Sequence, residues 1–112
     1  MNIVNGSVES MKFEMQEKRI ELLGNLIKYP KRFEEFQHVL TPEHFADYHF
    51  VYRKIANTFK RDGEINIRVI AKELGIEYIQ LTQAMRDNAV SDGRTDFLVQ
   101  QLVKEKARKE VI

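Results

Sequence analysis

The sequence contains no cysteine, which excludes disulfide bonds, cysteine-ligated zinc, iron–sulfur clusters and thiol catalysis. It also lacks any apolar run approaching the roughly 18 residues that a membrane-spanning helix needs. The first six residues, MNIVNG, have neither the basic nor the apolar region of a secretory signal peptide. We therefore expect a cytoplasmic protein that does not enter a membrane.

Helix-breaking residues are scarce as well. Only two prolines, Pro30 and Pro42, and five glycines interrupt the 112 residues. Between these breakers, apolar residues recur three and four positions apart, which is typical of amphipathic helices. The pattern predicts an all-α fold, namely a compact bundle of about five to six helices plus a C-terminal helix that begins a helical hairpin.

The sequence has no large excess of positive or negative charge. It contains 18 Lys and Arg residues and 17 Asp and Glu residues, which gives a net charge of +1. This balance excludes a polyelectrolyte that holds nucleic acid by charge alone. Neither a phosphate-binding G-x-x-x-x-G-K-[ST] motif nor an H-E-x-x-H zinc motif occurs. The three histidines, His38, His44 and His49, lack the spacing of metal ligands. We therefore expect no catalytic residue, cofactor or metal in this chain.

Start and stop signals set the predicted helix boundaries. Pro30 suits the first turn of a second helix, and Thr41 followed by Pro42 repeats a start signal. Asn66 is a predicted N-cap, and Gly75 is predicted to be the left-handed residue after a helix C-terminus. The predicted helical segments are 11–28, one from 30, a short turn after 42, 47–61, 67–74, 77–89 and 95 to the end.

One core must absorb the apolar stripes of these segments. Val39 and Leu40 are expected on the buried side of the second helix. Gly24 lies inside the first helix, where glycine costs about 1 kcal/mol relative to alanine, so we expect a neighbouring helix to approach closely there. The residues predicted to be mostly buried are Ile20, Leu23, Phe33, Phe36, Val51, Ile55, Phe59, Ile70, Leu74, Leu81 and Met85.

Residues 69–76 (VIAKELGI) and the helix predicted after them have the layout of a helix-turn-helix. A DNA-reading second helix must present donors to base edges and cations to phosphates. Here that helix opens with Glu77 and carries a single late cation, Arg86. Gln80 and Gln83 could reach adenines, but no nearby residue anchors phosphates. We therefore interpret the motif as packing geometry, with DNA reading as the alternative.

The last predicted helix carries an apolar row whose members lie four positions apart. Phe97 and Leu98 are expected to cap the core of the domain, whereas the row from Val103 onward extends beyond it. An exposed apolar stripe usually marks a partner site. The predicted protein interface consists of Val99, Leu102, Val103, Lys104, Ala107, Arg108 and Val111.

Six short segments follow one another in a recognisable order. They are 17–27 (EKRIELLGNLI), 29–33 (YPKRF), 40–45 (LTPEHF), 48–55 (YHFVYRKI), 62–66 (DGEIN) and 97–109 (FLVQQLVKEKARK). In this order and spacing they resemble the N-terminal domain of bacterial and phage replicative helicases of the DnaB type. The resemblance covers residues 14–112, although the loop after Phe45 is shorter than in the family and a glycine-rich step before the fifth helix is missing.

This resemblance implies a non-catalytic collar domain that lies above a RecA-like motor ring. In such helicases the collar associates with neighbouring subunits, as dimers within a hexamer. It also docks the C-terminal domain of a primase, and a helicase loader is a further partner. ATP and magnesium belong to the motor domain, which is absent from this sequence. The resemblance implies no sequence-specific contact with DNA.

By this interpretation the chain is a fragment of a longer helicase. Residues 1–12 form a flexible N-terminal lead, residues 13–93 a helical head domain, and residues 94–112 the start of a helical hairpin. Two other interpretations stay open. One is a helix-turn-helix DNA-binding protein, and the other is the helicase-binding C-terminal domain of a primase, which has a similar helical architecture.

Overall fold

Six α-helices and three short 3₁₀ segments make up the part of the chain that the structure describes. The structure is a computed structural model that describes residues 3–89 and 91–110, with side chains from Phe13 onward. No strand occurs in these residues, so the predicted all-α fold is confirmed. The helices are α1 (Ile3–Lys28), α2 (Pro30–Phe36), α3 (His49–Asp62), α4 (Ile67–Leu74), α5 (Ile79–Asp87) and α6 (Thr95–Glu110), and the 3₁₀ segments are Pro42–Tyr48, Ile76–Tyr78 and Asp92–Arg94.

The helix boundaries lie at the helix-capping and helix-breaking residues wherever the sequence contains them. Pro30 occupies the first turn of α2, and Asn66 caps α4 by accepting a hydrogen bond from the Arg68 N–H at 2.9 Å. Gly63 ends α3 in the left-handed conformation, with φ 74°. Gly75 also has a positive φ, 112°, but its ψ of 157° is extended rather than left-handed helical.

Three boundaries differ from the prediction because no strong breaker marks them. Helix α1 begins at Ile3 rather than near residue 11, so the predicted lead is helical from Ile3 onward. Helix α2 ends at Phe36, which leaves Val39 half exposed instead of buried. A 3₁₀ turn, Ile76–Tyr78, precedes α5, so the regular helix starts two residues later than expected.

The core forms around the second half of α1, where Leu22, Leu23 and Leu26 are fully buried. All of the predicted core residues belong to it, although Ile20, Phe36, Phe59, Leu74 and Leu81 are only partly buried. Leu98, which was expected to cap the core, is fully buried. Fully buried apolar residues that the predicted core left out are Leu22, Leu26, Phe45 and Leu102.

Phe45 shows how the irregular Pro42–Tyr48 segment joins the core. Its ring stacks on Tyr52 of α3 with the ring centroids 4.7 Å apart and the planes inclined by 14°. The backbone turns sharply at the next residue, Ala46, which has a positive φ of 47°. Burial of a whole aromatic ring is a large favourable contribution, and it holds this turn in place.

Gly24 of α1 lies very close to the backbone of Met85 in α5. An added Cβ there would lie 2.7 Å from the carbonyl carbon of Met85, closer still to its oxygen, and 3.4 Å from the Ala89 Cβ. No side chain fits at such distances, so only glycine allows the two helices to pack at this spacing. The predicted close approach at Gly24 is confirmed.

Candidate interaction surface on helices α1 and α6

Helices α1 and α6 lie side by side and run in opposite directions. Asn25 near the end of α1 donates to the Thr95 hydroxyl at the start of α6, at 3.2 Å. Further along, Lys18 donates to the Gln101 side chain at 3.4 Å. Because the α6 number rises as the α1 number falls, the pair is antiparallel, and one flank of each helix faces away from the core.

A buried arginine fixes α6 to the rest of the domain. Arg19 is 5% exposed and forms a salt bridge with Glu105 of α6 at 3.2 Å. It also donates to the His44 carbonyl oxygen at 3.3 Å and to the Gln16 side chain at 2.7 Å. Burial alone would raise the pKa of Glu105, but Lys109 and Arg19 outweigh it and lower that pKa. The C-terminal half of α6 is therefore tied to this chain's own core.

Two of the predicted interface residues lie in that core instead of on the surface. Val99 is 4% exposed and Leu102 is fully buried, so the prediction of an interface at these two positions is wrong. Both side chains belong to the same core cluster as Leu22 and Leu23 of α1, so α6 packs on the predicted head domain over this length. Residues four apart share a helix face whether that face is buried or exposed, which is why spacing alone misplaced them.

The other predicted interface residues differ in how far their side chains are buried. Val103 is partly buried against the core. Lys104, Ala107 and Arg108 are exposed, as an interface requires. Val111 lies outside the described residues.

Phe97 is the surface residue that the sequence interpretation missed. It was expected to cap the core, but its side chain is 45% exposed. The Lys18 ammonium lies 5.9 Å from the centre of its ring and the Arg94 guanidinium 5.4 Å. These are cation–π distances, so both cations are attracted to the exposed ring. Its spacing from Lys104 and Arg108, seven and eleven residues, was the available signal, because residues so spaced share one helix face.

Two stripes of opposite charge run along this surface. The cationic stripe of α6 consists of Phe97, Lys104 and Arg108. The acidic stripe of α1 consists of Phe13, Glu14 and Glu17, in which Phe13 is 65% exposed. Among the side chains that the structure describes, none of these four charged residues forms a salt bridge within 4.0 Å, although other charges of α6 do. Charges without local partners and exposed aromatic rings together are typical of a binding surface.

His44 lies beneath the C-terminal half of α6. Its ring nitrogen Nδ1 accepts a hydrogen bond from the Thr41 N–H at 2.9 Å, which caps the Pro42–Tyr48 segment. The side chain is buried, and burial, followed by the positive charge of Lys106, lowers the pKa of His44 below its ordinary value of about 6.5. Lys106 in turn pairs with Glu43 at 3.4 Å.

The lowered pKa of His44 predicts that acid destabilises the domain. The unfolded chain binds a proton at His44 at a higher pH than the folded chain does, so the free energy of unfolding should fall as pH drops below about 6.5. Urea unfolding at about pH 7.5 and 5.5 measures this fall, in a range above the titration of the carboxylates. His44→Gln should flatten the pH dependence, whereas His38→Gln, at an exposed position, should leave it unchanged. An equal fall in all three proteins would contradict the assignment.

Helices α4 and α5 do not present the charges of a DNA reader. Gln80 and Gln83 of α5 are exposed, as a reading helix would require, but the exposed residue before the helix is the acid Glu77. Arg86 is bound to Asp87 at 3.1 Å. Among the side chains of residues 13–89 and 91–110, no group of three His, Asp or Glu residues is placed to hold a metal ion. In the same part of the chain, no helix is long and apolar enough to cross a membrane.

Comparison with known proteins adds no relative. No family model, no curated protein and no solved structure matches the chain.

Proposed function

We propose that the chain is the non-catalytic N-terminal collar domain of a replicative DNA helicase. In this role it joins neighbouring subunits in the helicase ring and docks the C-terminal domain of a primase, with a helicase loader as a further partner. ATP hydrolysis, with its magnesium ion, belongs to a motor domain outside this sequence. The chain therefore contributes association and not chemistry.

The observation that carries this proposal is the surface formed by α1 and α6. It combines the exposed rings of Phe13 and Phe97 with charges that have no salt-bridge partner among the described side chains. Protein interfaces concentrate binding energy in aromatic and arginine side chains at the centre of a polar rim. An all-α domain with such a surface supports a role in protein association, and the ordered resemblance of its six segments supports the helicase family in particular.

The packing of α5 weighs against the helix-turn-helix alternative. The buried face of α5, with Met85, packs on Gly24 of α1, and its exposed face carries Gln80 and Gln83. The exposed acid Glu77 lies in the 3₁₀ turn just before the helix. A duplex-binding helix needs several cations placed for phosphates, because phosphate contacts supply most of the affinity. The single cation of α5, Arg86, is already paired with Asp87.

Duplex binding as a function of salt separates the collar from the DNA reader. We expect fluorescence anisotropy of a labelled DNA duplex to show little binding at any salt concentration above about 50 mM. A DNA reader would instead bind tightly at low salt and lose affinity steeply as salt rises, since each neutralised phosphate releases counterions. Such a steep, linear dependence of log affinity on log salt concentration would contradict the proposal.

A further inference from the structure

The Pro42–Tyr48 segment has an unfavourable backbone conformation that its contacts must hold in place. Among the described residues, Ala46 is the only one besides glycines with a positive φ, and its φ of 47° and ψ of −117° lie in a sparsely populated region. Two buried side chains on either side of this strain hold the segment. Phe45 packs in the core, and His44, 6% exposed, caps the start of the segment.

The capping hydrogen bond of His44 exists only while its ring is neutral. The ring nitrogen Nδ1 accepts from the Thr41 N–H at 2.9 Å, so the proton of the neutral ring is on Nε2. A protonated imidazole carries a hydrogen on both nitrogens and accepts no hydrogen bond. Protonation would therefore make two N–H groups face each other at this distance, and the ring or the segment must move.

The same two residues of the segment, Glu43 and His44, also hold the C-terminal half of α6. The His44 carbonyl oxygen accepts from Arg19 at 3.3 Å, and Arg19 forms a salt bridge with Glu105 of α6 at 3.2 Å. The Glu43 carboxylate pairs with Lys106 of α6 at 3.4 Å. A movement of the segment at His44 therefore acts directly on both of these polar links to α6.

We infer that His44 is an acid-sensitive switch, whose protonation releases residues 103–110 of α6 from the Pro42–Tyr48 segment while the rest of the domain stays folded. The first half of α6 remains in place, because Leu98 and Leu102 are fully buried in the core. The released half carries Lys104 and Arg108, so acid changes the position of the cationic stripe. The switch is independent of the proposed helicase role, since it depends only on contacts within one chain.

The surroundings of His44 set the direction of this pH dependence. The charged groups around it are Glu43 of its own segment, Arg19 of α1, and Glu105, Lys106 and Glu110 of α6. Burial, followed by Lys106, lowers the pKa of His44 in the docked state, and Glu43 and Glu110 offset this only in part. In the released state the ring meets water and its pKa returns to about 6.5. Docking of α6 is therefore favoured above about pH 6.5 and weakens as the pH falls below it.

A distance measurement between two spin labels tests the inference. The sequence has no cysteine, so Arg53→Cys on α3 and Arg108→Cys on α6, both at exposed positions, give a uniquely labelled pair. Double electron–electron resonance should show one narrow distance at pH 7.5. Between pH 7.5 and 5.5 the share of molecules with a broad, altered distance should rise at least about fivefold, since one proton changes the equilibrium by up to about tenfold per pH unit. Far-UV circular dichroism should keep most of its helical signal at pH 5.5.

Matched histidine variants of the labelled chain assign the change to His44. The distances in His44→Gln should not depend on pH in this range, because glutamine does not titrate. The exposed control His38→Gln should still show the rise. In the unsubstituted chain, an NMR titration of the histidine rings should give a His44 midpoint that coincides with the change in distance. Distances that stay narrow while His44 titrates, or that broaden equally in His44→Gln, would overturn the inference.

Discussion

Gly24→Ala is expected to destabilise the domain by roughly 3 kcal/mol, although alanine is the better helix former by about 1 kcal/mol. The new methyl group would be forced into the carbonyl group of Met85, a backbone atom of α5 that cannot rotate away. Helix α5 must therefore shift as a whole, and the contact between α1 and α5 that closes the core is lost. Chemical denaturation measures the change, and Gly24→Leu should be worse still or prevent folding.

Gly93→Ala is the matched control for this substitution. The nearest heavy atom to an added Cβ at Gly93 is the Ser91 hydroxyl oxygen at 3.6 Å, an ordinary van der Waals distance. The free energy of unfolding should therefore change by no more than about 0.5 kcal/mol. If Gly24→Ala proved as harmless as Gly93→Ala, α1 and α5 would not pack at the spacing described.

Phe45→Ala should cost about 3–5 kcal/mol, the range observed for removal of a fully buried aromatic ring. The ring is completely buried and stacks on Tyr52, so its removal leaves a cavity where the Pro42–Tyr48 segment meets α3. The backbone around it already holds Ala46 at a positive φ, and it would lose the contact that keeps it in that conformation. Urea or thermal unfolding measures the loss.

Phe36→Ala provides the comparison, because Phe36 is only partly buried at the end of α2. The substitution removes the same atoms but exposes less apolar surface, so the cost should be about 1–2 kcal/mol. Equal costs at Phe36 and Phe45 would show that the Pro42–Tyr48 segment does not contribute a buried ring to the core.

The sequence predicted those parts of the fold where a particular residue begins a helix or allows two helices to pack closely. Pro30 and Asn66 begin helices, and Gly24 marks a close approach, because each has a conformational or steric property that few other residues share. The start of α1 was misplaced because the polar residues before Phe13 neither favour nor forbid a helix strongly. Phe45 was missed because an irregular turn has no periodicity from which burial can be inferred.

The candidate surface was predictable only in part, for a related reason. Lys104 and Arg108 were correctly expected to be exposed, whereas Val99 and Leu102 of the same predicted interface are buried against α1. Periodicity shows which residues share a face of α6, but the choice of the face that meets the core depends on α1 and on the buried Arg19–Glu105 pair. The acidic stripe of α1 can be identified as part of the surface only from the structure, because the antiparallel packing places it beside the cationic stripe of α6.

Binding of a primase domain tests the collar assignment most directly. The measurement is sedimentation velocity of the chain mixed with the C-terminal domain of the primase encoded by the same genome. In parallel, the chain is mixed with the N-terminal domain of that genome's replicative helicase. The collar assignment predicts a faster-sedimenting complex with the primase domain. A chain that leaves the primase domain unbound would contradict the assignment, and a complex with the helicase domain alone would favour the alternative, the helicase-binding C-terminal domain of a primase.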